Sequence, residues 1–321
     1  MQYDWILIAF SMSLISGLLL YPLYIRFMRK LKYGQSISEY SLKEDQEKKG
    51  TPTMGGVLFV LITIITTIFT YPNFVNDEYV VMVLLMFFGY ALIGFVDDFI
   101  IIVEKNNKGL PALMKFVLQV ILAVTFYTIY REQLASVVRI PFIDYLIGNR
   151  NFYPLLLFFM FVGASNAVNI TDGMDGLAGG TTFIAFVPFL ILACTQGEIG
   201  VAVFIAALMG AILSFLRYNI KPAKIFMGDA GSLALGGALA AVSVVLKVEI
   251  AFVIIGGVFV YETLCVMLQI GSVKLRKKRI FRYTPIHYSF RLRGIPEQKV
   301  VYLFWLAGII CAIVGYWVAL S

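Results

Sequence analysis

Five aspartates stand where a long apolar chain has least use for them. Asp97 and Asp98 lie in GFVDDF, Asp172 and Asp175 in NITDGMDGLAGG, and Asp229 in FMGDAGSLALGG. Each cluster is rich in Gly or polar residues and falls at the end of an apolar run or in a short connector. Carboxylates gathered on one face of a membrane repel unless something positive lies among them. A hard divalent cation suits oxygen ligands, and Mg²⁺ in particular takes one or two carboxylates together with water and substrate phosphates. Lys48, Lys49, Lys105, Lys108, Lys115, Lys221 and Lys224 fall in the same set of loops and suit a polyanion. Carboxylates, Mg²⁺ and lysines at one interface point to phosphoryl transfer, where catalysis is mostly positioning and charge stabilisation.

Each cluster also has a purely structural reading. Asp97 and Asp98 would mark a solvated helix end. Asp172, Asp175 and Asp229 would cap helices, and Asp175 is expected to do some capping in any case. Gly236-Gly237 and Gly256-Gly257 read as helix-packing devices. What disfavours the structural account is that all five acids share one side. Glu262 lies mid-span in GGVFVYETLCVMLQ. An intramembrane acid should face protein, and a hydrogen bond within the bundle explains it as well as function does. The basic run from Lys274 to Arg282 reads as an inside anchor with affinity for anionic headgroups. His287 is the single histidine, in YTPIHYSFRLRG, and reads as a surface residue of the last and largest loop on that side.

The elements that must position these residues follow from composition. The chain has 321 residues, 60% hydrophobic and only 14% charged. Soluble domains carry about 25% charged residues, so a water-soluble globule is excluded, and disorder is excluded by the hydrophobicity. Cys194, Cys265 and Cys311 lie in apolar runs without paired spacing, which leaves no zinc site or disulfide scaffold. The runs are long and continuous rather than alternating, so they are helices and not barrel strands. Ten reach the length a bilayer asks for: 4–27, 54–71, 79–96, 113–130, 152–168, 177–194, 199–216, 232–246, 250–271 and 300–320. The first carries Asp4, lacks a basic start and is followed by Tyr21-Pro22, so it is not a cleavable signal. The span 232–246 is short and rich in Ala, Gly and Ser, suited to packing against other helices.

Of the 26 Lys and Arg, all but Arg131, Arg139, Arg150 and Lys247 fall in odd-numbered loops or their flanking helix ends. The positive-inside rule therefore makes those loops cytoplasmic. The expected fold is an all-α polytopic membrane protein of ten transmembrane helices. Both termini are extracytoplasmic, the active site is on the cytoplasmic face, and residues 1–321 form one domain. The net charge of +7 is a topology signal, and no nucleic-acid-binding module accompanies it. Residues 137–143 and 144–150 read as a short outer hairpin, and 72–78 as a tight connector.

The motifs resemble those of the polyprenyl-phosphate N-acetylhexosamine-1-phosphate transferases, and most closely that family's muramoyl-peptide branch. The resemblance runs from about residue 46 to 305. It is carried by Lys48 to Gly56 (KKGTPTMGG), Phe95 to Phe99 (FVDDF), Asn166 to Ala178 (NAVNITDGMDGLA), Asn219 to Gly231 (NIKPAKIFMGDAG), Pro285 to His287, and Pro296 to Val301 (PEQKVV). It implies a Mg²⁺-dependent enzyme of the bacterial cytoplasmic membrane. Such an enzyme joins UDP-MurNAc-pentapeptide to undecaprenyl phosphate, releasing UMP and making lipid I, the first membrane step of peptidoglycan synthesis. A homodimer is what the family suggests. By position, Asp229 corresponds to the Mg²⁺ ligand. Asp97, with Asp98 beside it, corresponds to the residue that deprotonates or positions the lipid phosphate. His287 corresponds to the first of three catalytic-loop histidines. Asn169, Asp172 and Asp175 correspond to residues around metal and nucleotide, with Asp175 nearest the uridine. Asn219 falls in the motif that carries the metal aspartate, Phe226 matches an aromatic that stacks on uracil, and Lys48 and Lys115 match phosphate-contacting lysines.

The sequence departs from the family in three places, the first before the KKGTP stretch, where Asp45 stands in place of a common histidine. The usual three histidines, aromatic and acid are here His287, Tyr288, Ser289, Phe290 and Arg291, and the lysine three residues after the second aspartate is Ile101. Direct attack of the lipid phosphate on the β-phosphorus is the expected route, with a phospho-aspartate intermediate as the alternative. A polyprenyl tail would be served by a bend near Gly256-Gly257. The competing readings are a sister enzyme using UDP-GlcNAc, an ion-coupled transporter and an inactive paralogue. A transporter gathers its acids at the bilayer midplane, commonly in repeated halves, and no half-repeat is present here.

Overall fold

The computed structural model describes residues 2–31, 50–104, 109–134, 137–142, 145–148 and 152–321. In chain order the helices are α1 (Gln2–Lys30), α2 (Gly55–Thr70), α3 (Glu78–Glu104), α4 (Ala112–Tyr130), α5 (Phe152–Thr171), α6 (Leu177–Gln196), α7 (Ile199–Asn219), α8 (Asp229–Val245), α9 (Glu249–Ile255), α10 (Gly257–Arg276), α11 (Ile286–Arg291) and α12 (Glu297–Leu320). A 3-10 turn, Pro72–Asn76, fills the expected connector between α2 and α3. The expected hairpin is present as β1 (Val137–Ile140) and β2 (Tyr145–Gly148), paired antiparallel with Val138 opposite Ile147.

Among the described residues, eight helices are long and apolar enough to cross a membrane: α1, α3, α4, α5, α6, α7, α10 and α12. Helices α2 and α8 coincide with the expected spans 54–71 and 232–246, but have 16 and 17 residues. At 1.5 Å per residue they reach about 25 Å, short of a hydrocarbon core about 30 Å thick. For α8 the surroundings explain this. Every residue of α8 from Ala230 to Val245 is buried, so the helix packs against protein and has no lipid thickness to match. Close approach depends on missing side chains. A Cβ on Gly236 would come 2.4 Å from the Ala164 carbonyl of α5, and one on Gly94 of α3 would come 2.1 Å from the Asp229 carbonyl. The α3–α8 contact fixes the backbone of an aspartate that the sequence singles out.

In α2 the buried Thr63, Thr67 and Thr70 turn their hydroxyls onto the carbonyls of Phe59, Thr63 and Thr66 at 2.7–2.8 Å. Polar atoms are thus satisfied within the helix itself. The expected span 250–271 is divided at Gly256, where α9 ends and α10 begins. The break lies where a bend would serve a lipid tail. Beside it, Gly256, Phe252, Val260 and Leu264 join α5 residues such as Phe159 and Met160 around an apolar cavity of about 260 Å³.

Candidate active site

Four helix ends converge on one ammonium group. Asp97 and Asp98 are in the last turns of α3, Lys115 is in the first turn of α4, Asn169 is in the last turn of α5, and Asp229 opens α8. The Lys115 Nζ donates to Asp229 Oδ2 at 2.5 Å and stands 3.1 Å from Asp97 Oδ2. Asp97 Oδ1 accepts the Leu110 N–H at 2.8 Å, which ties the α3–α4 connector to the same carboxylate. Asn169 donates from Nδ2 to Asp229 Oδ1 and to the Ser232 hydroxyl, both at 2.8 Å. Asp97 is 4% exposed, so its contact with Lys115 is screened by little water. A cation between two carboxylates offsets their mutual repulsion at short range.

Asp98, the neighbour of Asp97, has a different task. Its Oδ1 accepts the Asp229 N–H and its Oδ2 the Ala230 N–H, each at 3.1 Å. It caps α8 from α3, because the local cap residue, Gly228, offers no side chain. The expected self-cap by Asp229 is therefore corrected: the carboxylate of Asp229 turns to Lys115 and Asn169. Asp98 also occupies amides that would otherwise make the start of α8 an anion site.

A second group joins the α5–α6 and α7–α8 connectors to the start of α12. The Asp175 side chain accepts the Ala223 N–H at 3.1 Å, and its own N–H donates to Glu297 Oε1 at 3.1 Å. Lys221 donates to Glu297 Oε2 at 2.8 Å. Asn219 uses both ends of its amide on backbone: Oδ1 accepts the Gly176 N–H at 2.9 Å and Nδ2 donates to the Ile225 carbonyl at 3.0 Å. Helix α6 begins after Gly176, which has no side chain of its own to cap it. Asp175, beside it, ties this start to the α7–α8 connector and to α12. Asp172 lies in the same α5–α6 connector, its N–H bonded to the Val168 carbonyl. The 220–228 segment that receives Asp175 runs directly into Asp229, which links the two groups covalently. Phe226, half-buried in that segment, pairs its backbone N–H with Pro52 O and its carbonyl with the Gly55 N–H, both at 2.8 Å.

Glu297 is a site residue that composition and motif reading pass over. It is 2% exposed, yet an acid directly after Pro at a helix start looks like ordinary first-turn placement. Its only sequence signal is its place in PEQKVV, opposite a partly exposed loop lysine, Lys221, that no local pattern connects to it.

His287 is fully buried, which corrects the expected surface position. Glu262 of α10 lies 2.9 Å from His287 Nδ1. Tyr288 and Ser289, where the resembled family has further histidines, have structural partners. The Tyr288 hydroxyl donates to Gly173 O at 3.0 Å, and the Ser289 hydroxyl donates to Tyr283 O at 2.6 Å. Lys48, Lys49, Lys105 and Lys108 lie outside the described residues. The structure thus joins Asp97, Asp98, Lys115, Asn169 and Asp229 directly. It attaches Asp175, Asn219 and Phe226 through the connectors, and His287 through Gly173.

Residues 80–247 match the glycosyl transferase family 4 model, and residues 48–60 match the phospho-N-acetylmuramoyl-pentapeptide-transferase signature 1. A bundle of apolar helices with a carboxylate–lysine network at one end is the framework of a multi-pass membrane transferase of that family. Full-length relatives narrow it further. The phospho-N-acetylmuramoyl-pentapeptide-transferase of Bacillus subtilis (strain 168) is 48% identical over 318 residues, covering 98% of this chain and 97% of that protein. Those of Bacillus licheniformis and Geobacillus thermodenitrificans (strain NG80-2) are 47% and 46% identical, with the same coverage. The chain belongs to the phospho-N-acetylmuramoyl-pentapeptide-transferase family.

Proposed function

We propose that the chain transfers phospho-N-acetylmuramoyl-pentapeptide from UDP-MurNAc-pentapeptide to undecaprenyl phosphate, forming lipid I and UMP. The setting is the bacterial cytoplasmic membrane. The observation that carries this reading is the Lys115 ammonium held between Asp97 and Asp229. Phosphoryl transfer between two anions needs a place where negative groups meet around positive charge, and four helix ends supply one.

Among the described residues no three His, Cys, Asp or Glu side chains form a ready-made metal cage. Mg²⁺ commonly relies on one or two carboxylates and completes its shell with substrate phosphates and water, so the pair Asp97–Asp229 suits it. Asp229, oriented by Asn169, would hold Mg²⁺, which when bound screens the diphosphate charge and eases departure of UMP.

The chain's own groups do the rest. Asp97 accepts or orients the proton of the lipid phosphate. The phosphate oxygen forms its bond to the β-phosphorus as the bond from the β-phosphorus to the bridging oxygen breaks, and UMP leaves with that electron pair. Lys115 moves from its carboxylate partners toward the phosphates. Asp98 acts as a positioning residue that fixes Asp229 through the backbone of α8. Asp172, Asp175, Phe226 and Lys48 bind the nucleotide and phosphates, while Asn219 and Glu297 set the connectors that carry Asp175 and Phe226. The apolar cavity beside Gly256 receives part of the polyprenyl tail, a reading supported by its lining of Phe, Leu, Val and Met. In this reading α2 and α8 count as spans, which gives ten helices with both termini outside, in one domain that pairs as a homodimer.

Purified protein in bilayers with undecaprenyl phosphate and Mg²⁺ is expected to release UMP and form lipid I from UDP-MurNAc-pentapeptide, with no product from UDP-GlcNAc. Product from UDP-GlcNAc at an equal or higher rate would assign the chain to the sister reaction instead.

A further inference from the structure

Glu262 is fully buried in α10, and its carboxylate faces one short helix. Its Oε2 accepts the Ile286 N–H at 2.8 Å. Its Oε1 accepts the His287 N–H at 3.3 Å and lies 2.9 Å from His287 Nδ1. The first two contacts hold the start of α11. The third fixes an imidazole ring. The other ring nitrogen, Nε2, is buried with no hydrogen-bond partner in the protein. It lies against Gly173, where an added Cβ would come 2.3 Å from it. Tyr288 packs on the His287 ring, with centroids 4.4 Å apart, and its hydroxyl holds the Gly173 carbonyl. The one unpartnered atom of the ring therefore points at the connector that carries Asp172 and Asp175.

A carboxylate facing one imidazole nitrogen decides which nitrogen carries the proton. Buried polar atoms without partners are rare enough to need a reason. We propose that Glu262 is a positioning residue. It keeps a ring proton of His287 on Nδ1 and presents a bare Nε2 as acceptor for an N–H or O–H of the sugar-nucleotide. Displacement of the Gly173 connector on binding uncovers that atom, and the lack of a side chain at residue 173 lets the ring sit against it. This inference rests on the reading of the site as one for a UDP-sugar. It gives Glu262 a role in the reaction beyond a helix contact.

The chain's single histidine makes the test direct. Protein purified without a polyhistidine tag and labelled with ¹⁵N-histidine gives one imidazole in the spectrum. With the ring neutral, Nδ1 is expected to resonate as a protonated, pyrrole-type nitrogen and Nε2 as a bare, pyridine-type one. Glu262→Gln keeps the side-chain volume but sets an amide N–H₂ among the donors. It is expected to shift the tautomer balance and to lower kcat by about 10–100-fold, the order expected when the outer partner of a functional histidine is altered. UDP-MurNAc-pentapeptide, added without lipid acceptor, is expected to move the Nε2 resonance and leave Nδ1 in place. A ring protonated on Nε2 in the unaltered protein overturns the proposal even if Glu262→Gln fails to fold. So does a spectrum indifferent to Glu262→Gln, or an Nε2 resonance unmoved by nucleotide that calorimetry shows to be bound. Absence of nucleotide binding in that calorimetry contradicts the UDP-sugar reading itself and is told apart in this way.

Discussion

Asp229→Asn is expected to lower the rate of lipid I formation by about a thousandfold, the equivalent of the several kcal/mol a bound cation contributes to stabilising phosphoryl charge. The substitution is a clean probe because the residue's two jobs are separable. Its backbone N–H is held by Asp98, and its side chain faces Lys115 and Asn169. Asn keeps the first and much of the shape of the second, so α8 still starts in the same place. What is lost is the charge. Initial rates measured beside thermal unfolding separate this from a folding defect. A rate within tenfold of the unaltered enzyme, at unchanged stability, would remove Asp229 from the chemistry.

Asp97→Asn is expected to reduce kcat by about 10²–10⁴-fold, the range for loss of a positioned acid–base group, with little change in the KM for the nucleotide. The split follows from geometry. Asn retains an oxygen for the Leu110 N–H, so the α3–α4 connector stays tied down. It turns neutral against Lys115 and cannot take a proton from the lipid phosphate. In the proposed binding mode the nucleotide is held by other elements, chiefly the two connectors bearing Asp175 and Phe226. A rise in nucleotide KM with kcat preserved would mean that Asp97 binds substrate rather than preparing the nucleophile.

Much of this site is legible in the sequence, for a definite reason. Once spans are counted, parity puts Asp97, Asp175 and Asp229 on one side, and their Gly-rich surroundings mark them as more than helix ends. Residue type and spacing cannot tell Asp97 from Asp98, and only the family resemblance favours Asp97. Successive helical residues point about 100° apart, so one carboxylate meets Lys115 of α4 and the other the amides of α8, and only the packing of three helices decides which. The burial of His287 was equally hidden. A lone histidine in a basic loop looks solvated until Glu262, 25 residues earlier on a different helix, is seen to reach it. Glu297 and Lys221 are 76 residues apart and meet only because α12 returns beside the α7–α8 connector. Apolar run length located the helices well but did not show that α8 is enclosed by protein from Ala230 to Val245, since hydropathy does not distinguish lipid-facing from protein-facing residues. The break at Gly256 lies inside a run that is apolar throughout, where only the Gly pair hints at it.

The central claim is that these helix ends gather a cation and a diphosphate at one point. It is tested most directly by pulsed electron paramagnetic resonance of Mn²⁺, in place of Mg²⁺, with UDP and the intact protein in bilayers. Phosphorus hyperfine coupling to protein-bound Mn²⁺ is expected in the unaltered chain and is expected to vanish in Asp229→Asn. The same coupling in both proteins, or bound UDP with no manganese near its phosphorus atoms, would contradict the account.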